Sequence, residues 1–129
     1  MSRQDIFDGT EASDAYARAV RFGNQIHVSG TTSANAEGEA VGDDLYAQCK
    51  ETYRKIGRVL QQAGAGFGDV VRIVAYVTDI SQPEGFSRAT VEAFKPSGVR
   101  PAATLVEISA LFKPEMLVEI EAYALLPEN

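Results

Sequence analysis

Tryptophan is absent from this chain, and cysteine and histidine occur once each, as Cys49 and His27. A lone cysteine cannot close an internal disulfide, and one cysteine with one histidine falls short of the four N/S ligands of a structural zinc site. No metal of that type is expected. Clusters of lysine or arginine are missing too. With 12 basic against 18 acidic residues the formal charge is -6. Such a surface offers no footprint for a phosphate backbone, so nucleic acid is not an expected partner. No apolar run approaches the roughly 20 residues that span a bilayer. Residues 1–8 are polar where a signal peptide would be basic and then apolar. A cytoplasmic protein without membrane contact is the expectation.

What the 129 residues do contain is an ordinary apolar fraction, enough for one domain, residues 1–129, with a core of its own. Strand and helix patterns alternate without a linker-like break, an internal repeat or a low-complexity tract. Residues 16–22 and 26–29 flank Gly23-Asn24, a pair that tolerates positive φ, so a hairpin is predicted. Leu45, Cys49, Tyr53, Ile56 and Leu60 recur at steps of four, four, three and four, which lines one face of a helix ending at Gly64. Cys49 is thereby a core residue. Residues 70–78 are rich in β-branched side chains and read as a strand. A second helix follows, with Ser81 as N-cap, Glu84 three residues on, and Pro96 and Gly98 as its stop. Strands over 102–109 and 116–125 close the chain.

The order β-β-α-β-α-β-β makes an α+β domain, one sheet with two helices that cover only one of its faces. In the last strand Met116, Val118, Ile120, Ala122 and Ala124 point one way and Leu117, Glu119, Glu121, Tyr123 and Leu125 the other. The first set suits a helix-packed core. The second is too apolar for a solvated face and too charged for a dry interior. A subunit interface with polar clefts accounts for both properties.

Several other constellations carry no chemistry. Gly64, Gly66 and Gly68 do not match a phosphate-loop spacing. His27 and Ser29 share a strand face, but no nucleophile-elbow spacing is present and neighbours two apart on a strand seldom form a triad. Arg72 reads as an ion-pair partner. Glu107, Glu121 and the Asp43-Asp44 pair read as solvated charges or a helix N-terminus.

Five short motifs occur in order: Ala15-Tyr16 before the Gly-Asn hairpin; Ile26-His27-Val28-Ser29-Gly30; Val77-Thr78-Asp79; Arg100-Pro101-Ala102; and Val118-Glu119-Ile120-Glu121. Together they resemble the Rid (YjgF/RidA, L-PSP) family over almost the whole chain. That resemblance implies a chorismate-mutase-like fold, one mixed β-sheet with two helices on one face, and a homotrimer whose sheets form a central β-barrel with ligand clefts between subunits. It also implies hydrolysis of reactive enamines or imines, such as 2-aminoacrylate, to ketoacids and ammonia, with no cofactor. Position by position, Glu119 matches the family glutamate that handles water or the substrate nitrogen. Tyr16 matches the tyrosine lining the cleft, and Ser29-Gly30 the pair that contacts the ligand. Leu105 falls where several members have cysteine.

One departure weakens the transfer of activity. Ala103 stands where family deaminases hold the substrate carboxylate with an arginine, whose planar fork makes two charge-assisted bonds. Arg100 reads as a poor substitute, since three residues of extended chain span about 10 Å and an odd step reverses the face. Arg18 is the better candidate, two residues from Tyr16 and about 7 Å away if that strand is regular. The leading expectation is therefore a small-molecule hydrolase of the enamine or imine type, acting on something other than short 2-imino acids. The alternative is a non-catalytic trimeric module that binds a small molecule or regulates a partner. The ribonuclease label borne by some relatives fits the acidic balance poorly.

Overall fold

The computed structural model describes residues 2–127. Six strands and two helices alternate along it: β1 (Arg3–Ile6), β2 (Ala19–Phe22), β3 (Gln25–Thr31), α1 (Leu45–Gln62), β4 (Val70–Val77), α2 (Glu84–Phe94), β5 (Ala102–Glu107) and β6 (Val118–Leu125). The strands form one sheet in the order β1-β2-β3-β6-β4-β5. Every pairing is antiparallel except β4 with β5, which is parallel and needs the α2 crossover to return the chain to the same end. The sheet is thus mixed and the class α+β.

Both helices pack on one face. Cys49, Tyr53, Ile56 and Leu60 of α1 and Phe86, Ala89 and Phe94 of α2 meet Ile26, Val28, Ile73, Ala75, Val77, Val118, Ile120, Ala122 and Ala124 of the strands, all buried. Burying one large aliphatic of this set contributes about 1.5–3 kcal/mol, so the alternating apolar half of β6 is a main source of stability. The helices approach closely at Gly85, where a Cβ would lie 2.9 Å from the backbone nitrogen of Tyr46. α1 starts at Asp44, whose carboxylate accepts from the Ala47 amide at 2.8 Å. No helix among the described residues is long and apolar enough to cross a membrane.

Three local expectations change. β1 was not foreseen, because only Ile6 in it is buried and an edge strand is held by backbone pairing rather than by side-chain pattern. The first hairpin strand begins at Ala19 instead of Tyr16, so Tyr16 and Arg18 sit in the approach to it. Ser81 does not cap α2. Its amide and hydroxyl both bond Asp79 Oδ1, at 2.9 and 2.6 Å, while Pro83 occupies the N-cap with no side-chain bond. An aspartate two residues upstream outcompetes the helix for the serine.

Candidate active site

The face of the sheet that the helices leave bare carries a polar ladder. Glu119 and Glu121 alternate with core residues along β6 and are half-buried. Glu121 accepts from Tyr123 at 3.0 Å and from Tyr76 at 3.3 Å. His27 meets the Tyr123 ring edge-on at 5.6 Å. Glu119 differs from Glu121 in having no hydrogen bond to its side chain among the described residues.

A bulge in β3 defines the surroundings of Glu119. The β3–β6 register runs regularly through Val28 and resumes at Thr31, leaving Ser29 and Gly30 as the irregular step. Gly30 is where backbone and carboxylate meet: a Cβ there would lie 2.7 Å from Glu119 Oε2 and 2.9 Å from Cδ. Glycine is the residue that leaves this space open. The Ser29 hydroxyl donates to the Ala17 carbonyl at 2.6 Å and ties the bulge to the segment before β2.

Arg18 secures the same bulge from below. Its guanidinium donates to the Gly30 carbonyl from Nη1 and Nη2, each at 3.3 Å, and to the Thr31 hydroxyl. Its carbonyl accepts from the Ser29 amide at 2.9 Å, and its own amide donates to Ile6 at 2.8 Å. Tyr16 covers it, with the ring centroid 5.9 Å from the guanidinium carbon. The Tyr16 hydroxyl accepts from the Ala12 amide at 2.9 Å. Tyr16, Arg18, Ser29, Gly30 and Glu119 therefore form one cluster. Arg18 is only 4% exposed, and its Nη1 and Nη2 are bonded to Gly30 and Thr31, which makes it a support for the bulge.

The electrostatics follow from this packing. Burial pushes the Glu119 carboxyl above the usual glutamate range, the charge of Glu121 adds to the rise, and Arg18 opposes both. A second cation is equally buried. Lys55 on α1 is pulled down to about 8 by burial, with Arg18 adding to the fall. Its Nζ donates to the carbonyls of Thr32 at 2.9 Å and Ala34 at 2.7 Å. Thr31 and Lys55 were not singled out from sequence. The usable signal for Lys55 was its spacing of three and four from Thr52 and Val59, which puts a lysine on the buried side of α1.

Ala103 and Leu105 do not join this cluster within one chain. In the β4–β5 register they stand opposite Ile73 and Ala75, on the helix-covered face, and Leu105 packs against the core. Glu119 stands opposite Tyr76, on the bare face. Ala103 instead lines a groove of about 640 Å³ between α2 and the edge strand β5, whose lining also includes Phe86, Val91, Phe94, Lys95, Val99 and Arg100. The dismissal of Arg100 on strand alternation does not hold, because Arg100 and Pro101 precede β5 and Arg100 lines the same groove as Ala103.

With this geometry the similarities to known proteins become informative. A family model described as endoribonuclease L-PSP matches residues 8–126. A RutC family protein of Pyrococcus abyssi is 36% identical over 84% of this chain and 84% of its own length. A 2-iminobutanoate/2-iminopropanoate deaminase of Escherichia coli is 32% identical over 84% of this chain and 85% of its own. Among solved structures, a Mycobacterium tuberculosis member of the highly conserved YjgF family superposes with a TM-score of 0.85 at 42% identity, covering 97% of this chain and 100% of that one. The fold, the order of motifs along it and a match that leaves out only the chain's ends make this protein a member of the endoribonuclease L-PSP family, also called the YjgF or Rid family.

Proposed function

We propose that this chain is a cytoplasmic, cofactor-independent deaminase-type hydrolase of a small enamine or imine. It acts as a homotrimer, with its sheets around a central barrel and its clefts between subunits, on substrates other than short 2-imino acids. The observation that carries this reading is the unbonded Glu119 carboxyl, held against Gly30 with its proton affinity raised by burial. Relatives named as 2-iminobutanoate/2-iminopropanoate deaminases support the reaction class.

Imine hydrolysis asks for orientation, a water and a proton relay. The water oxygen bonds to the imine carbon, the π pair moves to nitrogen, and nitrogen takes a proton. In the carbinolamine the hydroxyl proton passes to nitrogen, the oxygen pair forms the carbonyl, and the C–N bond breaks to release ammonia. Glu119 can give the first proton and accept the one that water releases, ending in its starting state. A carboxyl with a raised pKa has its acid form available closer to neutral pH, which suits both roles. Tyr16 forms the cleft wall beside it, and Ser29-Gly30 presents backbone to the ligand. Arg18 positions the bulge.

Ala103 favours one competing reading, a trimeric module that binds a small molecule or regulates a partner without turnover. Ammonia release from imines generated in place by an amino-acid oxidase separates the two. The hydrolase reading expects acceleration over the uncatalysed rate for at least one imine, lost in Glu119→Ala. A folded trimer that accelerates none of a broad imine series would decide for the binding module. On short 2-imino acids the wild type is expected to be weak, and Ala103→Arg to raise the rate by restoring a carboxylate anchor.

A further inference from the structure

The groove between α2 and β5 has two cations in its lining, Lys95 and Arg100, and neither has an ion-pair partner among the described residues. Apart from the hydroxyls of Ser87 and Thr90 the rest of the wall is apolar, with Phe86, Phe94 and the exposed Val91 and Val99 its largest side chains. A space of about 640 Å³ lies in the range that accepts a drug-sized ligand, more than a three- or four-carbon acid fills. Alanine at 103 widens this trough on the strand side and removes a charge from its wall. An apolar trough with unpaired guanidinium and ammonium groups is complementary to a carboxylate with an apolar tail.

We infer that Arg100, assisted by Lys95, grips the ligand carboxylate in place of a residue at 103, and that the ligand carries a phenyl or branched-alkyl tail seated against α2. Arg18 does not line this groove: it is buried at the β3 bulge, where its Nη1 and Nη2 hold Gly30 and Thr31. Arg100 keeps its planar fork free for a two-oxygen contact. That the ligand is an imine substrate rests on the proposed function; the binding chemistry of the groove does not.

The test is titration calorimetry of the full chain with 3-phenylpropionate, its neutral analogue 3-phenylpropanamide, and propionate. The wild type is expected to bind 3-phenylpropionate at least about tenfold more tightly than either of the others. Arg100→Gln should remove most of the advantage of acid over amide and Lys95→Gln a smaller part. Both side chains are exposed, so the variants should fold. Equal affinity of the wild type for acid and amide, or 3-phenylpropionate binding unchanged in both variants, overturns the inference. Turnover keeps the two proposals apart. Binding as expected, without ammonia release from any of a broad imine series that includes the 2-imino acid of phenylalanine, sinks the hydrolase reading and leaves the groove standing. Ammonia release that Arg100→Gln leaves unaltered does the reverse.

Discussion

Glu119 is the residue on which the proposed chemistry turns, and its protonation should leave a mark on stability as well as on rate. Its folded pKa lies above the unfolded one, so both states are protonated in strong acid and the carboxylate costs nothing there. As pH rises from the ordinary glutamate range through the raised folded value, stability falls, and the loss persists at neutral pH. Glu119→Gln should therefore melt higher than wild type at neutral pH, with the gain vanishing in acid. The same variant should lose about 10²–10⁴ in kcat/KM on any imine the wild type hydrolyses. Gly30→Ala probes the contact from the other side. The new methyl collides with the Glu119 carboxylate rather than with backbone, so thermal melts should show a folded protein. Displacing the carboxylate by about an ångström should cost on the order of 100-fold in activity. That Glu119 lies on the bare face was legible in the sequence because β6 alternates cleanly, whereas its proposed role came only from the family resemblance. The surroundings of Arg18 and Arg100 were less legible, because both lie just before a strand, where the alternation of side-chain faces does not apply.

At the scale of elements, local chemistry decides how much could be read. Gly23 at φ 61° and Gly64 at φ 86° hold left-handed backbone, which is why the hairpin and the end of α1 were visible as glycine positions. β1 was invisible because three of its four side chains are exposed, and the start of α2 was misplaced because Asp79 holds Ser81. The packing of α1 on α2 was out of reach of either signal, since it depends on Gly85 meeting the backbone of Tyr46. Gly85→Ala should therefore destabilise the protein by about 1–3 kcal/mol in a denaturant melt. Gly66→Ala is the control. No atom lies within 4 Å of its added methyl, so it should stay within about 0.5 kcal/mol of wild type.

For the whole molecule, the decisive fact is that the two halves of the proposed cleft lie on opposite faces of one sheet. Gly30 and Glu119 border the bare face, while Ala103 lines the groove on the α2 side. The mixed character of the bare face was legible from Glu119, Glu121, Tyr123 and Leu125. What covers it was not: in the proposed trimer the cover is a surface of another chain, which the pattern of one strand does not encode. A site using both halves needs two subunits, and a closed ring of three supplies three such junctions. The direct measurement is complementation between two inactive variants, Glu119→Gln and a groove-filling Ala103→Trp, each trimeric alone, mixed equally, unfolded and reassembled together. Random assortment should restore about a quarter of wild-type ammonia release, because about one junction in four pairs an intact Glu119 with an intact groove. Mixed trimers no more active than their parents would contradict a cleft shared between subunits.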